Sequence, residues 1–233
     1  MNYHAVIFDL FGTLVNDFMS VTGQTHEEFA TILGIPYERF MTKWREITGR
    51  RTLGEFQTVE ASIDHVCAAL GVTVNAAQMA QAVEFRLAYT RRALTPKPDA
   101  VATLAQLKQA GFKVGLLSNC SIEIPILWPQ TEFAGLVQNP VFSSRERMKK
   151  PDPLIYRTAC ERLNVAPEDC LYVADGENHE LKAAAEVGMN PVLIRPNSHQ
   201  PQGELRQEAR EWRGLTISTL AEVLGLIGKN HAA

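Results

Sequence analysis

Four short stretches of the 233-residue chain carry residue types that could act together on an anionic substrate. Asp9 closes the apolar run Ala5-Val6-Ile7-Phe8. Ser118-Asn119 follows a second run at residues 114–117, and Asp175-Gly176 follows a third at 170–174, with Glu180 five residues beyond Asp175. Lys150, ahead of Pro151-Asp152-Pro153, falls between the second and third. Singly, each has an ordinary reading: aspartates close turns, Ser and Asn cap helices, and a lysine before a proline-started helix is solvated. Together they supply a carboxylate nucleophile, hydrogen-bond donors, a cation and a second carboxylate able to bind metal. Those are the parts needed to attack a phosphoryl group.

Such residues meet only if the elements bearing them converge. Each of the three runs is continuously apolar and bounded by a breaker, the pattern of a strand buried on both faces of a parallel sheet; residues 191–194 make a fourth. Between them, residues 100–110, 153–163 and 180–187 show helical periodicity, the first and last stopped by Gly111 and Gly188. A further helix is predicted at 218–227, capped by Ser218, and a polar loop at 196–202. Alternating strands and helices predict an α/β fold with a doubly wound parallel sheet, which binds ligands at the carboxyl ends of its strands. Residues 16–93 differ. They hold four helical patterns, at 25–33, 37–48, 59–70 and 76–93, with no strand run among them. The expected organisation is a Rossmann-like core of residues 1–15 and 94–233 carrying an inserted helical module at 16–93.

Composition narrows the function classes. At 45% hydrophobic and 21% charged residues the chain reads as globular and needs no staple. A formal charge of -3 leaves no electrostatic footprint for nucleic acid or an anionic membrane. Cys67, Cys120, Cys160 and Cys170 show no CxxC spacing, so neither a zinc site nor a disulfide framework is expected. With no leader and no apolar run of about 20 residues, the expected setting is cytoplasmic, as a monomer or homodimer.

The ordered stretches resemble the signatures of the haloacid dehalogenase superfamily. Phe8-Asp9-Leu10-Phe11-Gly12-Thr13-Leu14 is similar to its first motif, with Asp9 as nucleophile and Thr13 beside the substrate. Gly115 to Asn119 resembles the second, which implies that Ser118 and Asn119 bind substrate oxygens. Lys150 matches the charge-neutralising lysine of the third, with Lys149 the weaker candidate, and Ala174-Asp175-Gly176 matches the acidic fourth. The resemblance implies Mg²⁺ held by Asp9, the backbone carbonyl of Phe11 and Asp175, with Glu180 able to hold a bound water or else serving as a first-turn helix acid. His179 reads as solvated. The inserted helices resemble the family's cap, which opens and closes over the site, with hinges at residues 16–17 and 95–98.

Two departures set activities against each other. The family's phosphatases carry an acid two residues after the nucleophile, and here that residue is Phe11, which cannot transfer a proton. The family's dehalogenases resemble this chain at Phe11 and at Ser118-Asn119 but lack Asp175. Arg45, after Trp44, resembles in setting the dehalogenase arginine that grips a carboxylate, while Arg50, Arg51 and Gly54 form a polar break in the cap. On balance the sequence favours a Mg²⁺-dependent phosphatase of small phosphorylated metabolites, acting through an aspartyl-phosphate on Asp9. The alternatives are a 2-haloacid dehalogenase and a weakly catalytic binding protein of the same fold.

Overall fold

Apolar runs of four to six residues form the centre of the molecule, and their order explains which polar residues meet. The computed structural model describes residues 3–18, 26–195 and 206–228. Its strands are β1 (Ala5–Phe8), β2 (Lys113–Ser118), β3 (Val141–Phe142), β4 (Cys170–Ala174), β5 (Asn190–Ile194) and β6 (Leu215–Ile217). They form one parallel sheet in the order β3-β2-β1-β4-β5-β6. The central strand β1 is buried along its whole length. In its register Phe8 lies beside Leu116 of β2 and Val173 of β4. Continuing that register sets Asp9 beside Leu117 and Ala174, one residue short of Ser118 and Asp175. Three polar residues thus emerge together at one edge of an otherwise apolar sheet.

Between β1 and β2 come α1 (His26–Ile32), α2 (Tyr37–Glu46), α3 (Thr48–Thr52), α4 (Val59–Ala69), α5 (Ala76–Ala93) and α6 (Ala100–Gln109). The remaining helices are α7 (Glu123–Leu127), α8 (Ser143–Glu146), α9 (Pro153–Leu163), α10 (Glu180–Glu186), α11 (Gln207–Glu211) and α12 (Glu222–Gly228). Alternate residues of β1 serve the two faces: Val6 and Phe8 join a core with α6 and α12, while Ala5 and Ile7 join one with α9 and α10. This is the doubly wound α/β arrangement expected from the alternating pattern.

Helices α1, α2, α4 and α5 pack on a separate apolar cluster centred on Phe29, Phe40, Trp44 and Phe85. Thr58 caps α4 and an Asn75–Gln78 capping box opens α5, each satisfying backbone N–H groups that a helix start leaves free. The chain leaves and re-enters the sheet layer side by side, since Val15 bridges Pro96 and Lys97 N donates to Leu14 O at 2.9 Å. Gly54 fixes the insertion against α8: its φ is +67°, and a Cβ there would fall 1.8 Å from Ser144 O.

Sequence patterns miss the edges. β3 has two residues and β6 three, too short for a recognisable apolar run, and Leu215 of β6 is half exposed. The expected helix at 37–48 is split at Ile47 into α2 and α3. The last helix starts at Glu222 rather than Ser218, because Glu222 Oε1 accepts from the backbone N–H groups of Ser218 and Thr219 at 3.1 and 3.0 Å. The polar loop expected at 196–202 lies outside the described residues. All four cysteines are free and buried, and no described helix is long and apolar enough to cross a membrane.

Candidate active site

Lys150 lies at the centre of the converging strand ends. Its Nζ is 2.5 Å from Asp9 Oδ1, 2.5 Å from Glu180 Oε2 and 3.0 Å from the Tyr172 hydroxyl. An ammonium has three N–H donors, and each has an acceptor here. Its loop is held by Asn119, whose Oδ1 accepts from Lys150 N at 2.8 Å and whose Nδ2 donates to Lys150 O at 3.0 Å. Beyond the cis Lys150–Pro151 peptide, Asp152 caps α9 by accepting from Leu154 N at 2.9 Å. Asn119, expected to touch substrate, is therefore committed to the backbone that carries the lysine.

Glu180 is fully buried at the start of α10 and spends both oxygens. Oε2 accepts from Lys150 and from Tyr172 OH at 2.7 Å, while Oε1 accepts from Gly176 N at 3.2 Å and Glu177 N at 3.0 Å. It thereby ties the loop after β4 to the lysine. Asp175 Oδ2 packs against Gly12, where φ is +79° and a Cβ would lie 2.2 Å away, so only glycine lets the two loops meet. Thr13 Oγ1 and Ser118 Oγ, both fully buried, have no hydrogen-bond partner among the described residues. Buried hydroxyls are rarely left unpaired.

Electrostatics at this end of the sheet are carboxylate-rich. Burial raises Asp9 to about 7, with Glu180 adding to the rise and Lys150 opposing it. Burial likewise raises Asp175 to about 8, assisted by Glu180 and Asp9 and opposed by Arg206. Burial works against the charge on Lys150, but Asp9 and Glu180 hold its value above the ordinary range. One carboxylate oxygen from each of Asp9, Asp175 and Glu180 lies within 4.8 Å of the others, a set of hard donors compatible in kind with Mg²⁺. Glu180 has no oxygen to spare, so the donors that fit a metal ion are Asp9 and Asp175.

A cavity of about 510 Å³ opens between the sheet edge and the insertion. Phe11, Asn119, Lys149 and Arg206 line one side, and Phe18, Arg51 and Arg86 the other. Both insertion arginines address one buried carboxylate, Glu123 at the start of α7: Arg86 Nε donates at 2.5 Å and Arg51 Nη1 lies 4.0 Å away. Arg51 also lies over the Trp44 ring at 4.1 Å, and its Nε is buried without a partner among the described residues. Burial, together with Arg86, lowers Arg51 to about 9. For Glu123 burial alone would raise the value, but Arg86 and Arg51 outweigh it and hold the carboxyl at about 2. Arg45 is exposed on α2 and does not line the cavity. Of the arginines singled out in the sequence, Arg51 of the polar break, six residues on, is the one that lines it.

A family model for haloacid dehalogenase-like hydrolases matches residues 3–188, a span that contains all four motif stretches. The chain belongs to that family. Among curated proteins it is 26% identical to (S)-2-haloacid dehalogenase 4A of Burkholderia cepacia over 231 residues, 97% of this chain and 95% of that one. It is also 26% identical to hexitol phosphatase A of Escherichia coli (strain K12), over 87% of this chain and 88% of the relative. The L-2-haloacid dehalogenase structure from Xanthobacter autotrophicus shares the fold, with a TM-score of 0.66 at 21% identity over 98% of this chain and 99% of that one. Haloacid dehalogenase-like hydrolases of both kinds therefore surround this chain, and the dehalogenase match extends further along it.

Tyr172, Arg86, Glu123 and Arg206 escaped the sequence reading. Tyr172 sits inside an apolar strand run, and Arg86 inside a helical pattern, so neither position carries a local signal. Only the folded arrangement turns them toward the site.

Proposed function

We propose that this haloacid dehalogenase-like hydrolase uses Asp9 as a nucleophile on carbon, with a 2-haloacid as substrate class. The sequence alone favours phosphatase chemistry; the balance shifts with the dehalogenase relative that spans nearly the whole chain. The observation that carries the reading is the cavity wall. Phe11 and Phe18 pack edge to face at 5.3 Å beside Arg51 and Arg86, an apolar and cationic surround suited to a small carboxylate. In this reading the insertion is the cap that closes the site, and residues 16–17 and 95–98 are its hinges.

The reaction then has two displacements. A carboxylate oxygen of Asp9 attacks the carbon bearing the halogen, the carbon–halogen bond breaks, and halide leaves with the electron pair. No proton is needed, which suits a phenyl ring at Phe11. Water then attacks the carbonyl carbon of the Asp9 ester, releasing a 2-hydroxy acid, restoring the carboxylate and passing one proton to solvent. Lys150 orients Asp9 and balances its charge, Glu180 and Tyr172 hold Lys150, and Thr13 and Ser118 donate to the bound molecule. Arg51 and Arg86 attract the substrate carboxylate.

A second reading is favoured by one feature, the placement of Asp175 beside Asp9. In a phosphatase Asp9, Asp175 and the Phe11 carbonyl would hold Mg²⁺, which when bound withdraws charge from the phosphoryl oxygens. A paired assay separates the two. Purified protein is given 2-chloropropionate or nitrophenyl phosphate, with Mg²⁺ or with a chelator, and halide and phosphate are followed. The expected result is halide release indifferent to the chelator and reduced about 10⁴-fold or more in Asp9→Asn. Phosphate release that requires Mg²⁺, with no halide release, overturns the carbon reading in favour of the second.

A further inference from the structure

Arg206 reaches the site from beyond the span that the family model matches. It immediately precedes α11, and its guanidinium gathers three carboxylates from two separate segments. Nη2 pairs with Asp17, where the chain departs toward the insertion, and lies 3.9 Å from Glu177 Oε2. Nε lies 3.5 Å from Asp175 Oδ2. The other Asp175 oxygen accepts from Glu177 N at 3.2 Å, so both faces of this carboxylate already meet N–H groups.

This contact bears on metal affinity. A Mg²⁺ ion needs carboxylate oxygens at about 2.1 Å in near-octahedral order, whereas a guanidinium is a planar fork of donors. The same Asp175 oxygen cannot serve both at full strength. Asp175 is one of the two donors in the acidic cluster that the internal contacts leave for a metal ion, and Arg206 is the cation beside it.

We propose that Arg206 is an internal counter-cation that competes with a divalent metal ion for Asp175. Because the same guanidinium holds Asp17, metal affinity is coupled to how firmly the start of the insertion is tied to the loop after β4. A metal ion gains Asp175 only by displacing the arginine.

Calorimetric titration of the full chain with Mg²⁺ and with Mn²⁺, in the absence of any substrate, tests this directly. Arg206→Gln should bind both ions about 10-fold or more tightly than wild type, within the usual range of coupling between sites. Adding Asp175→Asn to that variant should abolish the gain, and Arg206→Lys should fall between. Asp17→Asn, which removes one anchor of the guanidinium without touching Asp175, should change binding by a smaller factor. Equal affinities in wild type and a folded Arg206→Gln, judged by circular dichroism, overturn the proposal. Should Arg206→Gln not fold, unchanged affinity in both Arg206→Lys and Asp17→Asn overturns it equally. The readout involves no turnover, so a negative result here leaves the halide assay and the carbon reading as they stand.

Discussion

At the sheet end, Asp9 and Glu180 share Lys150, and Asp175 completes the acidic group with Arg206 on its outer side. On the insertion side, Arg51 and Arg86 share Glu123. Both clusters are buried, and in both burial by itself raises the carboxylates. The outcome differs because the partners differ in number. Asp9 and Asp175 have carboxylate neighbours and rise to about 7 and about 8, whereas Glu123 has two guanidiniums and falls to about 2. Burial sets the cost of charge, and the count of opposite charges decides whether that cost is overcome. The first cluster holds Asp9, the proposed nucleophile, with its carboxyl raised to about 7; the second sets two guanidiniums against one carboxylate.

Removing the shared cation of the first cluster should have the largest effect. Lys150→Met leaves Asp9 and Glu180 facing each other without compensation. Turnover should fall about 10²–10³-fold. The nucleophile's ionisation should also move to higher pH, seen as an alkaline displacement of the rate profile. An unmoved profile would show that Lys150 does not set the ionisation of Asp9.

Removing the shared anion of the second cluster comes next. Glu123→Gln strands two buried guanidiniums, a loss of about 3–5 kcal/mol in urea unfolding. Millimolar acetate should restore part of the loss if the arginines accept a carboxylate. No recovery with acetate would indicate that they serve packing alone.

The two clusters should also respond oppositely to pH. Glu123 is lowered from 4.5, so its contribution to stability is present above that value and lost as pH falls toward about 2. Asp9 and Asp175 are raised from 3.8, so the native state retains protons that the unfolded chain has released. Their contribution is present below 3.8 and lost as pH rises through about 7 and about 8. Turnover should climb over that same upper range as Asp9 ionises, while the melting temperature declines. Asp175→Asn should flatten the upper decline and leave the acid limb unchanged. Melting curves from acid to alkaline pH in the three proteins, wild type, Asp175→Asn and Glu123→Gln, check both limbs.

The smallest effect should come from Arg45→Ala, within about 0.5 kcal/mol of wild type and with unchanged KM, since the side chain is exposed and off the cavity. Arg51→Ala should instead raise KM for an anionic substrate about 10-fold, the worth of one hydrogen bond to a charged group. Equal KM values for the two variants would remove Arg51 from the site.

The apolar runs of the chain already mark the sheet centre and the polar residues at its edge. Buried parallel strands need continuous apolar runs, and their ends at Asp9, Ser118 and Asp175 are local breaks that remain legible without a partner in view. Capping residues and glycine stops likewise fix most helices, because the groups they satisfy lie within a few residues. Other features depended on the tertiary structure. Edge strands β3 and β6 are too short to leave a pattern. Arg45 and Arg51 share a segment and a residue type, and only the packing of Arg51 over Trp44 turns one of them into the cavity. Glu180 reads equally as helix acid or metal ligand until Lys150, Tyr172 and two backbone N–H groups are seen to occupy its oxygens. Arg206 is 31 residues from Asp175 in the chain, and nothing local announces their meeting. Charges interact through space, so which partner each buried group meets, and hence the sign of its pKa shift, was decided by the fold.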